Sequence, residues 1–325
     1  MPHRRAIVGP VRQLRVGWVG FHQEGVPALR ALIERGSLVG ALTLAPEASA
    51  KRSAVAGVAE ICRSGGVEVA EVAHVNDPTS IAMMRSWQAD VIFVIGWSQI
   101  LSEEALSCAA IGTIGAHASL LPRLRGSAPV NWAIIRGETT SGNSLMWLDA
   151  EVDNGDLVDQ REFPITAYDT CATVYDRVAA TNEEMILAAL DEFEQGRLPR
   201  RPQGSVDEPL LPRRRPADGV VDWSAAAVDV HRFVRAITRP YPGAFSDLDG
   251  ERTMIWSSVE LDGWTTTEPP GTVIGALRSP DPAACGLVVA CGQGAIGLLE
   301  IENDTGALAG PELADQPWRG RRFGE

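Results

Sequence analysis

The stretch "DVIFVIGW" (Asp90–Trp97) is an unbroken apolar run, far too short to span a bilayer and too continuous for a strand with one wet face. Such a run fits a strand covered on both sides, as in a parallel sheet with helices on either face. "LRVGWVGF" (Leu14–Phe21), "SLVGALTL" (Ser37–Leu44), Val67–Val72, "GTIGAH" (Gly112–His117) and "NSLMWL" (Asn143–Leu148) read as further strands. Helix-like segments lie between them. One covers Gly25–Gly36, with Val26, Leu29, Leu32 and Ile33 on one face and Gly36 as its stop; others fall near Ser53–Ser64 and over Pro78–Gln88. This alternation predicts an α/β fold, a doubly wound, Rossmann-like parallel sheet. Ligands in such sheets bind beyond the carboxyl ends of the strands.

A long amphipathic helix, Cys171–Gly196, closes this first region. The tract that follows is rich in Pro and Arg and has no periodicity, which marks a linker; its Arg213–Arg215 run reads as solvated. Residues 220–325 change character. Ser224 is a plausible N-cap for a helix with Val230, Phe233, Val234 and Ile237 on one face, and short runs broken by Gly and Pro follow. The expected organisation is a catalytic α/β domain over 1–200, a linker over 201–219 and a small, mainly β domain over 220–325.

Composition and motifs exclude several classes. No apolar stretch is long enough for a membrane span, and the N-terminal "MPHRRAIVGPVRQLRVGWVGF" lacks a small-residue cleavage site, so a cytoplasmic location is expected. The five cysteines form no CxxC pair, so no metal is expected and buried free thiols are the plain reading. A formal net charge of −13 argues against nucleic acid as a partner, because phosphate binding wants a basic surface. Gly17, Gly20 and Gly25 do not have the spacing of a dinucleotide loop, which removes a nicotinamide cofactor. Ser119 sits two residues from His117 without the turn that hydrolase serines need.

His117 and Asp153 are the informative pair. Each falls just past a strand end, and neighbouring strand ends of a parallel sheet can bring two such side chains within hydrogen-bond reach. A histidine oriented by a carboxylate handles protons near neutral pH. On spacing alone, a structural histidine capped by a surface aspartate stays open.

The longer pattern "HASLLPRLRGSAPVNWAIIRGETTSGNSLMWLDAEVDNGDLVDQ" (His117–Gln160) closely resembles the formyltransferases that use 10-formyltetrahydrofolate. Their signature runs H-x-S-L-L-P-x-x-R-G, then A-P-x-x-W, G-E, T-G or S-G, and D-x-G-D, and each element occurs here in order. The likeness extends to "VGFHQEGVPALRAL", "GWSQILSEEAL" and "DGVVDWSAAAVDVHRFVRAITRPYPGAF", so it covers nearly the whole chain. It implies an N-formyltransferase with 10-formyltetrahydrofolate as co-substrate, no metal, and an OB-like C-terminal domain acting as spacer or homodimer contact. His117 matches the histidine that stabilises the developing oxyanion, and Asp153 the aspartate that orients it and accepts a proton. Gln99, Ile100, Leu101, Leu148, Asp149 and Val152 match segments lining the pterin pocket; without the resemblance, Ile100, Leu101 and Val152 read as plain core. Ser119, Arg125 and Asn131 are the candidate substrate-side residues, with Arg123 exposed beside them.

One position departs from the pattern. The family usually reads N-x-H, and here the asparagine is Gly115. Loss of one oxyanion donor costs about 3 kcal/mol of transition-state stabilisation. A neighbour such as Asn131 or Ser119, or a water, can replace it; the transferred group or the amine can differ; or the protein binds without turnover. The segment "APVNWAIIRGE" and the acidic balance favour a small amine, an amino sugar nucleotide or a specialised-metabolite amine, over methionyl-tRNA, which stays open as the alternative.

Overall fold

The computed structural model describes residues 12–50 and 52–324; residues 1–11 of the N-terminal stretch weighed above as a leader lie outside them. The chain divides into two units. The first is made of the residues up to Pro129, Thr140–Pro164 and Tyr175–Leu211, and the second of Val130–Thr139, Ile165–Val174 and the residues from Pro212 on.

The first unit is built on seven strands: β1 (Val16–Val19), β2 (Leu38–Leu44), β3 (Val69–Val72), β4 (Val91–Val94), β5 (Gly112–His117), β6 (Thr140–Trp147) and β7 (Leu157–Pro164). They lie in the order β3-β2-β1-β4-β5-β6-β7. β1 to β5 run parallel, as the doubly wound reading requires. β6 and β7 do not: β5 pairs β6 antiparallel, and β6 pairs β7 antiparallel. The expected doubly wound parallel sheet is thus present over β1 to β5 and mixed at this edge, where β6 and β7 form an antiparallel hairpin. β7 was not expected at all, because its polar sequence "LVDQREFP" lacks the apolar run that marked the others.

The helices set between these strands are α1 (Val26–Glu34), α2 (Pro46–Ser49), α3 (Val58–Ser64), α4 (Pro78–Ser86) and α5 (Glu103–Leu106); α6 (Pro129–Ile135) and α7 (Cys171–Glu194) follow. Residues 53–57, expected to be helical, are irregular, and Val55 bridges to His22 instead. Apolar clusters pack the unit, one around Trp18, Phe93 and Ile114, another around Leu42, Met84 and Ile92, and a small one of Leu121, Met146 and Leu157. The early glycines serve these cores rather than a phosphate. A side-chain carbon at Gly17 would stand 2.8 Å from the Trp87 ring and one at Gly25 2.6 Å from Trp18. Large rings in a close-packed interior need such gaps.

In the second unit α8 (Ala227–Ile237) packs on an antiparallel sheet of β8 (Ala244–Leu248), β9 (Glu251–Glu260), β10 (Val273–Leu277), β11 (Gly286–Ala290), β12 (Ala295–Asn303) and β13 (Gly306–Ala309), with α9 (Gly310–Ala314) after it. A small, mainly β C-terminal region was the expectation. The cap of α8 is Ala226, not Ser224, whose hydroxyl bonds Asp222. Among the described residues no helix is long and apolar enough to cross a membrane.

Candidate active site

His117 is the last residue of β5 and pairs with Ser144 across the β5–β6 ladder. The loop beyond it is stapled to β6 and β7. The Ser144 hydroxyl donates to the Ser119 carbonyl (2.6 Å), and the Leu121 amide donates to Ser144 Oγ (3.1 Å). Gln160 Nε2 donates to both Leu121 O (3.0 Å) and Ser144 Oγ (2.8 Å). These bonds fold the loop back so that His117 Nε2 lies 2.8 Å from the Leu124 carbonyl. A carbonyl only accepts, so Nε2 carries a proton and Nδ1 is left to exchange one.

Nδ1 faces Asp153 Oδ2 at 3.5 Å, with the two side chains 8% and 17% exposed. With the proton on Nε2, the bare Nδ1 and the carboxylate face each other as two acceptors, and the separation becomes an ion pair only when the ring takes up a second proton. Asp153 also accepts from the Gly126 amide at 2.9 Å, so the two ends of the loop grip the histidine and the carboxylate together. Leu124 and Asp153 both hold positive φ, +58° and +52°, a sparsely populated conformation for such residues that tertiary bonds must enforce. Asp153 does not come from a neighbouring parallel strand, as the spacing suggested. It sits in the β6–β7 hairpin loop.

The segment that enforces this geometry was read from the sequence as part of a linker. Residues 201–211 instead run along the site as a strap. Arg201 bridges Leu157. Gln203 Nε2 donates to the carbonyls of Asp153 (3.1 Å) and Gly155 (2.8 Å). The Leu124 amide approaches Glu208 Oε2 at 3.4 Å, and Leu211 exchanges backbone bonds with Arg125 (2.7 Å) and Ser127 (3.0 Å). Gln203, Leu124 and Leu211 carried no sequence signal of their own, because the tract around Gln203 has no periodicity and the other contacts are made by backbone; Gly126 closes the signature, but its amide bond to Asp153 could not be read from it.

The remaining candidates divide. Arg125 stands in the same loop, bonded to Asn154 Oδ1 at 3.3 Å, with its Nε buried and without a partner among the described residues. Ile100 and Val152 are 66% and 38% exposed, so they are not core. Leu101 is core, packed in the cluster around Leu42. The Gln99 side chain is occupied with Val75 N and Ala73 O, both at 2.8 Å, and Asp149 Oδ1 accepts from Glu151 N at 2.9 Å. The two side chains expected to replace the missing amide are engaged elsewhere. Ser119 Oγ donates to Arg123 O at 2.7 Å, and Asn131, in the second unit, donates to Ala236 O at 2.6 Å. What covers Gly115 is Leu148: a side-chain carbon at 115 would stand 2.7 Å from its Cδ2.

Comparison with known proteins identifies the family. The formyl transferase family matches residues 46–190, and the formyl transferase C-terminal domain family matches residues 214–314. The methionyl-tRNA formyltransferase of Acetivibrio thermocellus is 30% identical over 295 residues, 90% of this chain and 93% of that one. The chain therefore belongs to the formyltransferase family, enzymes that transfer formyl groups. Among solved structures, HypX from Aquifex aeolicus in complex with tetrahydrofolic acid superposes with a TM-score of 0.63 at 20% identity. The match covers 90% of this chain but 45% of HypX, so this chain spans less than half of that protein. An N-formyltransferase from Helicobacter canadensis, bound to folinic acid and dTDP-3-aminofucose, gives a TM-score of 0.61 at 15% identity, covering 88% of this chain and 98% of that one. Both share the fold.

Proposed function

We propose that the chain transfers a formyl group from 10-formyltetrahydrofolate to the primary amine of a small substrate, an amino sugar nucleotide or a specialised-metabolite amine. The observation that carries this reading is the His117–Asp153 pair, held at 3.5 Å by a loop closed on both sides. The residues present fit a flat heterocycle. Ile100, in the loop after β4, and Val152, in the β6–β7 loop, expose apolar side chains, and no described residue bonds the Leu101 amide or carbonyl. Gln99, Leu148 and Asp149 would complete that wall. When bound, the folate supplies a formyl carbon open to attack by an amine. On the acceptor side, the Leu124 carbonyl holds the His117 ring through Nε2, Asp153 would take the proton that the attacking nitrogen must shed, and Nδ1 of His117 would pass it on to the nitrogen that gives up the formyl group, so that tetrahydrofolate leaves neutral. Arg125 flanks the same loop as a substrate contact.

Relatives support the donor and the acceptor class: the Helicobacter canadensis enzyme holds folinic acid and an amino sugar nucleotide, and HypX holds tetrahydrofolic acid. Methionyl-tRNA is the second reading, favoured by the 30% identity to the Acetivibrio enzyme. Against it stand the formal net charge of −13 and the pairing of three of the second unit's exposed arginines with carboxylates: Arg239 with Glu300 and Glu302, Arg278 with Asp315, Arg321 with Asp249. In this reading the second unit serves as spacer or homodimer contact. Incubation with 10-formyltetrahydrofolate and a panel of amines that includes dTDP-3-aminofucose and charged initiator tRNA, followed by mass spectrometry, is the test. A gain of one CO on a small amine supports the first reading, a gain on the tRNA replaces it with the second, and no gain on any acceptor leaves a folate-binding homologue with chemistry altered at Gly115.

A further inference from the structure

A second polar cluster lies at the reversal point of the sheet. From β1 the chain works outward through β2 and β3 on one side and through β4 and β5 on the other, so the carboxyl ends of β1 and β4 flank the switch point. Open α/β sheets bind ligands in this crevice. The loop leaving β1 carries His22 and Glu24, and the loop leaving β4 carries Gly96 beneath them. Gly96 has φ +60°, and a side-chain carbon there would strike His22 Cβ and stand 3.0 Å from Glu24 Oε1. The pair therefore occupies the space over the end of β4.

His22 Nδ1 accepts from the Glu24 amide at 3.3 Å and lies 3.6 Å from Glu24 Oε2, with side chains 11% and 13% exposed. Since Nδ1 accepts a bond, the neutral ring carries its proton on Nε2, which has no partner among the described residues. The Glu24 carboxylate likewise accepts no hydrogen bond from any described residue. Other carboxylates of the same unit buried to this degree are satisfied. Asp90, 8% exposed, accepts from the Arg15 amide and pairs with Arg12. Glu194, 14% exposed, is paired with Arg35. Neither the Glu24 oxygens nor His22 Nε2 are fully shut off from solvent, so a free carboxylate and a free N–H in a largely buried pair stand open to a ligand in the crevice.

We propose that Glu24 and His22 recognise a hydrogen-bond-donating group of the acceptor, a hydroxyl pair or an ammonium, and exclude an anionic group such as phosphate from that subsite. The pair offers carboxylate lone pairs and one N–H, which matches a polyol or an amino alcohol and repels an anion. It lies two strands from His117 across the sheet, about 10 Å at ordinary strand spacing, within the length of a small polar metabolite whose amine is at His117. The proposal rests on the formyl-transfer reading.

The test uses the full chain labelled with 13C at histidine Cε1, with signals assigned through His22→Gln and His117→Gln. Galactose and putrescine serve as probes for the hydroxyl and ammonium alternatives, and inorganic phosphate as the excluded anion. A saturable shift of the His22 signal by either sugar or diamine at millimolar concentration, weakened about tenfold or more in Glu24→Gln, is the expected result. No shift with either probe, or an equal shift with phosphate, overturns it. Folinic acid is added separately. If it moves the His117 signal while neither probe reaches His22, this inference fails alone; if it leaves His117 unmoved, the formyl-transfer reading fails and takes this inference with it.

Discussion

At the scale of single residues, His117 is defined by what each ring nitrogen touches: Leu124 O fixes the proton on Nε2, and Asp153 faces the nitrogen that can exchange one. His117→Ala and Asp153→Asn are expected to lower kcat by about two to four orders of magnitude with unchanged circular dichroism, measured as formyl transfer at saturating folate. Gly115 poses the opposite experiment. Leu148 covers it with the flexible end of a side chain, which can swing aside. Gly115→Asn is therefore expected to fold and to raise kcat, by up to about a hundredfold if an amide donor is what the site lacks. A fall in kcat with intact folding would show that the apolar cover suits the native reaction. The buried thiols Cys171 and Cys291, pushed by desolvation up to about 12, are expected to resist thiol reagents near neutral pH until the chain unfolds, which timed labelling with mass spectrometry reads directly.

At the scale of elements, the strap over residues 201–211 turns a proline-rich tract into part of the site. Gln203 bonds two carbonyls of the β6–β7 loop, one of them that of Asp153 in its positive-φ conformation. Gln203→Ala is expected to cost about 1–3 kcal/mol of stability and to lower kcat more than it changes the folate KM, because the aspartate loses its orientation while the exposed apolar wall stays. Equal effects on both parameters would argue for a purely structural strap. In the second unit, α8 holds a half-buried His231 between Ser258 and Ala167, and desolvation lowers its pKa below the usual value. The unfolded chain then binds this proton more readily than the folded one, so stability is full above the unfolded pKa and declines as pH falls below about 6.5. A His231→Gln variant is expected to lose less melting temperature than the parent between neutral and mildly acidic buffer.

At the scale of the whole molecule, the acidic balance predicts that charged initiator tRNA gives no gel shift even at low salt; a tight, salt-sensitive shift would reassign the acceptor. The sequence by itself determined the alternation that builds the sheet, because apolar runs such as Val91–Val94 are local and covering both faces of a strand leaves a periodicity that can be read. It also carried the His117–Asp153 motif, because the chemistry demands particular side chains at particular spacings. It could not show that β6 and β7 turn back antiparallel, or that the exposed apolar residues are Ile100 and Val152 while Leu101 is core. Nor could it show that Gln203 reaches Asp153 or that a carboxylate at Glu24 goes without a donor. Those facts belong to residues distant in sequence meeting through backbone bonds and burial, and such contacts leave no periodic trace along the chain.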